Sequence, residues 1–291
     1  HLNVRRQRQM CIRDSLKNCF EILHILPFYP SSSDGGFSVT DHKNVNKDLG
    51  TWHDIRSLSN HASIMADLIL NHSSIKGKWF NSFIKEKEDY KNFFFTIDDN
   101  FDFSKVIRPR DHKLIQIYNY KKKNNKLWCT FSHDQIDLNF KDPLVLIEFI
   151  EIVLLLLSKG VTTFRLDAVA FIWKKNGTSC VNLPETHEIV KLLRLIVNYI
   201  NPHALIVTET NLPRKENLSY FGNNDEANWI YNFPLPPLIL YTFLFEDSSK
   251  ISGWSKSMPP AQNNNAYLNF IASHDGIGTV SYTHLRAHET Q

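Results

Sequence analysis

VTTFRLDAV, residues 161–169, decides how this 291-residue chain is read. It is an apolar, β-branched run of strand length, and its two ionisable side chains, Arg165 and Asp167, stand two positions apart. In a strand that spacing puts both on the same side, where the guanidinium can keep the carboxylate ionised and oriented. Working outward, further runs share the pattern of short apolar text ending in polar residues: EILHILPF (21–28), SIMADLIL (63–70), ALIVTET (204–210), ANWIYNF (227–233) and YLNFIASH (267–274). Longer helix-like stretches separate them. That rhythm belongs to βα units around a parallel sheet covered on both faces.

The segment between the second and third of these runs, 76–160, is aromatic, rich in lysine and far longer than an ordinary βα connection. Residues 76–135 are expected to form a small inserted domain, with the main fold made from 16–75 and 136–280. From 142 to 159 the text returns to a helical apolar pattern. Within it LVLIEFIEIVLLLL (144–157) is too short and, with Glu148 and Glu151, too charged to span a bilayer, so it predicts a buried helix. HEIVKLLRLIVNYI (187–200) also has helical spacing, with Pro202 just beyond it.

A hydrophobic content of 42% is enough for a full-sized core and argues against a disordered chain. The net charge of +3 is confined to the first fifteen residues, where Arg5, Arg6, Arg8 and Arg13 face only Asp14. No general basic face remains, which argues against a nucleic-acid or anionic-membrane partner. Cys11, Cys19, Cys129 and Cys180 form no CxxC pair and are too sparse for a disulfide framework, as expected of a reducing, cytoplasmic compartment. The chain does not begin with methionine and carries no signal-peptide pattern, so its natural start is expected upstream. Residues 1–15 and 281–291 contain RRQRQMCIRDS and SYTHLRAHET, which look like translated adapter sequence and are set apart as tails.

Asp67, Asp167, Glu209 and Asp275 each lie in or at the end of an apolar run. A carboxylate beside a core must be paired, hydrogen-bonded or functional. Any one of them alone reads more readily as a buried ion pair or a helix cap, and His72 or His274 alone as a core histidine. Together they point to the carboxyl ends of barrel strands, where active sites of βα barrels are built. A pair of carboxylates is the minimum equipment for glycosyl transfer.

At these residues the chain resembles the α-amylase superfamily, glycoside hydrolase family 13, in its sucrose phosphorylase and glucosylglycerate phosphorylase-like branch. DLILNH (67–72), FRLDAV (164–169), TETN (208–211) and ASHD (272–275) follow the four motifs of that superfamily in order, and the likeness runs from about 18 to 279. SSSDGGFSVTDHKNV (31–45), ENLSYFG (216–222), NFPLPPL (232–238) and SHDGIG (273–278) look more like phosphorylases than starch-cleaving amylases. The resemblance implies an α/β fold, a (β/α)8 TIM barrel present here as about strands two to seven, with a small domain inserted after the third strand. An opened barrel has unpaired edges, so this piece by itself is expected to be poorly stable and inactive.

The resemblance further implies that Asp167 is the nucleophile, Glu209 the general acid/base and Asp275 the third carboxylate, which stabilises the transition state. Asp34, Phe37, His72, Phe131, Arg165, Asn211 and His274 would bind substrate. Thr210 and Asn211 depart from the apolar residue and histidine of the simplest sucrose phosphorylases and are more similar to glucosylglycerate phosphorylases, on a stretch expected to line the acceptor side. The implied reaction is retaining transfer of an α-glucosyl unit from sucrose or a glucosylglycerate-like α-glucoside to inorganic phosphate. Its partners are these small molecules. The alternatives are an α-glucoside hydrolase using the same acids and a carbohydrate-binding relative without catalysis.

No cofactor is expected. HEXXH and GxxxxGK are absent, and His133–Asp134 and His274–Asp275 lack zinc-type spacing. Asn71 matches a position that helps hold calcium in amylases, but the phosphorylase-like branch is expected to need no metal. The sequons at Asn71, Asn176 and Asn217 read as incidental in a cytoplasmic chain.

Overall fold

The computed structural model describes residues 20–120, 123–261 and 265–277. Both expected tails, with Cys11 and Cys19, lie outside them. The chain divides into two units, 1–205 and 206–291.

The first unit contains, in order, β1 (Ile22–Ile25), α1 (Trp52–Ser59), β2 (Ser63–Ile69), β3 (His72–Ser74), α2 (Lys78–Ile84), β4 (Ile115–Tyr120), β5 (Lys123–Trp128), β6 (Gln135–Asp137), α3 (Pro143–Ser158), β7 (Val161–Asp167) and α4 (Pro184–Ile200). β1, β2 and β7 pair side by side and parallel, with His24 opposite Met65 and Asp67 opposite Arg165. α1 packs on β2 and α3 on β7. Ile64, Ala66, Ile69, Val161, Phe164 and Leu166 are buried, as parallel strands covered on both faces require.

Local chemistry sets the element ends. α3 starts where the Asp142 carboxylate accepts from the Leu144 N–H at 3.0 Å, with Pro143 at its first position. The two glutamates in its apolar run, Glu148 and Glu151, both meet Lys43 Nζ, at 2.9 and 2.6 Å. α4 begins three residues before the expected stretch because Pro184 is tolerated in the first turn, and Ile189, Val190, Leu193 and Val197 form its buried stripe. β1 ends at Ile25, short of the expected Phe28, as the chain approaches Pro27, which can donate no ladder hydrogen bond. β7 ends at Asp167 because Ala168 takes a left-handed φ of 49° and enters a single 3-10 turn, Val169–Phe171.

Between β2 and α3 the long segment has its own elements. β4 and β5 form an antiparallel hairpin, and β3 pairs antiparallel with β6, placing His72 opposite Asp137 and Ser74 opposite Gln135. Its aromatic content becomes a core: Phe80, Phe83, Phe93 and Phe94 pack ring on ring, and Phe95, Phe101 and Phe103 surround Trp128.

The second unit contains β8 (Leu205–Thr208), α5 (Arg214–Ser219), β9 (Trp229–Tyr231), α6 (Leu235–Phe245), α7 (Ser249–Ser257) and β10 (Ala266–Leu268). β8 and β10 each pair parallel to β9. β10 is shorter than the expected 267–274. Beyond it Asn269 accepts from the Asn232 side chain at 2.8 Å, and Ser273 to Gly276 close a turn. No helix among the described residues is long and apolar enough to cross a membrane.

Candidate active site

The parallel register of β1, β2 and β7 places a row of ionisable side chains across adjacent strands. Asp67 and Arg165 are register partners, and Arg165 Nη1 donates to Asp67 Oδ1 at 2.6 Å and to Asp167 Oδ1 at 2.9 Å. On the other side of Asp67, His24 Nε2 meets Oδ2 at 3.0 Å. Asp67 and Arg165 are at most 2% exposed and Asp167 only 7%, so these contacts act with little screening by water. Burial pushes the Asp67 carboxyl up, but the hydrogen bond from His24 and the charge of Arg165 outweigh it and hold the group below the usual carboxylate range. The expected Arg165–Asp167 pairing is present, and Arg165 also lies over the Phe37 ring, 5.8 Å from its centroid.

Two loops bring the expected donor-side residues together. His72 Nε2 meets the Phe37 carbonyl at 3.2 Å, and its ring lies 5.4 Å from that of Phe131, which in turn meets Phe171 edge-on. Burial pushes the His72 pKa down, favouring neutral imidazole. Asp34, exposed and at a φ of 56°, accepts from Gln135 Nε2 at 2.8 Å. Gly36, two residues on in this turn, has a φ of 117°, and a Cβ there would stand 2.7 Å from the Pro27 carbonyl oxygen, so only glycine fits. Asp134 ties the loops to each other: it accepts from Ser33 at 2.5 Å, Ser38 at 3.2 Å and Ser132 at 2.6 Å.

Gln135 is a site residue the sequence reading missed. It is fully buried, its amide nitrogen holds Asp34, and its Oε1 has no protein hydrogen-bond partner among the described residues, nor does His72 Nδ1. The available signal was the alternation in QIDL, too short to stand out as a strand.

Asn71 belongs to a different network. Its Nδ2 donates to Asp137 Oδ2 at 2.9 Å, and its Oδ1 accepts from Lys174 Nζ at 2.8 Å. Lys174 also pairs with Asp137 at 2.5 Å, and Thr130 donates to Asp137 through both its N–H and its hydroxyl. The side chain at the calcium-like position is therefore committed to a buried ammonium and a carboxylate. Of the three sequons, Asn71 and Asn217 are buried and Asn176 is exposed.

In the second unit Glu209 follows β8, partly buried, and Asn211 is exposed. Thr210, expected on the acceptor side, is instead 1% exposed, and its hydroxyl donates to Asn217 Oδ1 at 2.5 Å. Asn217 Nδ2 then donates to the Tyr231 carbonyl at 3.0 Å, so Asn217 fastens α5 to β9 and Thr210 holds the Asn217 side chain. His274 and Asp275 sit in the turn beyond β10, their side chains 3.5 Å apart, with that of Asp275 64% exposed. The structure thus groups Asp34, Phe37, His72, Phe131, Arg165 and Asp167 in the first unit, and Glu209, Asn211, His274 and Asp275 belong to the second.

Residues 17–289 match the α-amylase catalytic domain. The chain belongs to the α-amylase family. Its fold is a part of that family's (β/α)8 barrel. It is 47% identical over 268 residues to a glucosylglycerate phosphorylase of Allomeiothermus silvanus, covering 92% of this chain and 48% of the relative. It is 42% identical to a glucosylglycerate phosphorylase of Escherichia coli, over 90% of this chain and 47% of that one. The chain therefore spans about half the length of these curated relatives. Among solved structures, the sucrose 6F-phosphate phosphorylase of Thermoanaerobacter thermosaccharolyticum superposes with a TM-score of 0.81 at 25% identity, over 97% of this chain and 60% of that one.

Proposed function

We propose that this chain is the donor-binding part of a sugar phosphorylase that moves an α-glucosyl unit from a glucosylglycerate-like α-glucoside to inorganic phosphate with retention of configuration. The observation that carries the chemistry is the buried Arg165 guanidinium holding the carboxylate of Asp167, which keeps that acid ionised and aimed as a nucleophile must be. The names of the most similar relatives support the phosphorylase and its donor.

In the first step an Asp167 oxygen forms a bond to the anomeric carbon as the bond to the glycosidic oxygen breaks, and Glu209 gives that oxygen its proton. A phosphate oxygen then attacks the same carbon, the ester to Asp167 breaks, and Glu209 takes up a proton where phosphate brings one. Two inversions give α-glucose 1-phosphate. The geometry of the donor side supports sugar binding: neutral His72, the Asp34–Gln135 pair and the Phe131 ring offer hydroxyl partners and an apolar face. The roles of Glu209 and Asp275 rest on their motifs. No cofactor or metal enters these steps, and phosphate is a co-substrate.

The test is to incubate the full-length enzyme with glucosylglycerate, with and without phosphate, and to quantify glucose 1-phosphate against glucose. Phosphate-dependent glucose 1-phosphate is the expected result. Free glucose regardless of phosphate would make the protein a hydrolase, and neither product would refute glucosyl transfer from this donor.

A further inference from the structure

His24 stands outside every motif discussed so far, yet it terminates the row that reaches Asp167. It lies on β1 opposite Met65, two residues short of the level of Asp67 on β2, so the shared register turns His24, Asp67 and Arg165 to one side of the sheet. The contacts follow in sequence: His24 Nε2 to Asp67 Oδ2 at 3.0 Å, Asp67 Oδ1 to Arg165 Nη1 at 2.6 Å, and the same Nη1 to Asp167 Oδ1 at 2.9 Å. One guanidinium nitrogen therefore serves two carboxylates.

That sharing creates a competition. Asp67 is fully buried, and a carboxylate there must collect hydrogen bonds for both of its oxygens. With His24 satisfying Oδ2, Asp67 needs Arg165 only at Oδ1, and Nη1 keeps its second hydrogen for Asp167. Without a donor at residue 24, the unanswered Oδ2 of Asp67 draws the guanidinium further onto Asp67, away from Asp167. Tyr29 adds rigidity from the other side, its hydroxyl donating to the Asp67 carbonyl at 3.0 Å.

We propose that His24 is a positioning residue for the glucosyl-transfer step: its Nε2–H occupies Asp67 so that Arg165 remains aligned on Asp167. The assignment rests on Asp167 being the nucleophile, as the proposed function has it. It needs no contact between His24 and the sugar, so it governs how fast Asp167 attacks rather than how tightly the donor binds.

The experiment uses the full-length enzyme with α-glucosyl fluoride, from which fluoride departs with the bonding electron pair as an Asp167 oxygen attacks, with no proton required. Wild type, His24→Phe and His24→Gln are compared for the rate of fluoride release, KM and melting temperature. Glutamine can present an N–H at about the reach of Nε2, and phenylalanine cannot. In His24→Phe kcat is expected to fall about tenfold with KM within about twofold, and His24→Gln to recover most of the loss. A His24→Phe enzyme as fast as wild type overturns the assignment, as does a His24→Gln enzyme no faster than His24→Phe at an unchanged melting temperature. Wild type that releases fluoride but forms no glucose 1-phosphate from phosphate would instead overturn the phosphorylase reading and leave His24 in place. Wild type that releases no fluoride would overturn both.

Discussion

Asp67 and Asp137 are both fully buried carboxylates, Asp67 answered by His24 and Arg165 and Asp137 by Lys174, but the networks they anchor run in different directions. Around Asp137 the side-chain contacts turn back on the cluster: Asn71 and Thr130 donate to it, Lys174 pairs with it, and Lys174 also donates to Asn71. Around Asp67 the contacts form a line, from His24 through Arg165 to Asp167. The first arrangement clasps β6 to Asn71, just beyond β2, and to Lys174, in the loop that follows β7. The second carries alignment to a strand end. A buried acid is thus no sign of catalysis by itself, and what decides is whether its partners lead on to a group that can reach a ligand.

The sharpest way to separate the two networks is to remove one acid or base from each. Asp167→Asn removes the proposed nucleophile but leaves an uncharged isostere beside Arg165, so turnover should fall by about 10⁴-fold or more while the urea midpoint stays close to wild type. Initial rates of glucose 1-phosphate formation and a denaturation curve check both halves. Lys174→Met should do the opposite. It leaves Asp137 buried without its cation, costing about 3–5 kcal/mol in urea unfolding, with the activity of the folded fraction largely kept. Loss of activity at unchanged stability in Lys174→Met would erase the distinction.

A third test concerns His42, stacked on Trp79 with ring centroids 4.4 Å apart. Burial pushes its pKa down to about 3. The unfolded histidine takes up a proton near pH 6.5, so the folded state loses stability as pH falls from about 6.5 toward 3, by up to about 1.4 kcal/mol per pH unit. His42→Phe keeps the stack and should lessen that loss between pH 7.5 and 5, as read by urea midpoints at each pH, with buried His72 accounting for what remains. The smallest expected effect is at the clamp on the donor loops. Asp134→Ala frees Ser33 and Ser38, which should raise KM for the α-glucoside about threefold to tenfold with kcat little changed.

How much of this was legible in the sequence follows from the range of each interaction. Arg165 and Asp167 are two residues apart on one strand, and period two alone predicts their meeting. Asp67 stands out as an acid in an apolar run, but its partner His24 is 43 residues away, and only the register of β1 on β2 brings them together. Gln135 and Asp137 sit on a three-residue strand, too short for a periodic signal, and Lys174 follows an apolar turn that reads as loop. Thr210 was placed on the acceptor side by its neighbourhood in sequence, yet its hydroxyl is spent on Asn217. Motifs marked the residues proposed to do chemistry, and the residues that hold them required the fold.

The central claim is that Asp167 carries the glucosyl unit. The most direct measurement is mass spectrometry of the full-length enzyme, acid-quenched during turnover of α-glucosyl fluoride and digested. A hexosyl ester on the peptide containing Asp167, absent in Asp167→Asn, is the predicted result. A hexosyl group found instead on the peptide containing Glu209, or none under conditions where fluoride is released in a burst, would contradict it.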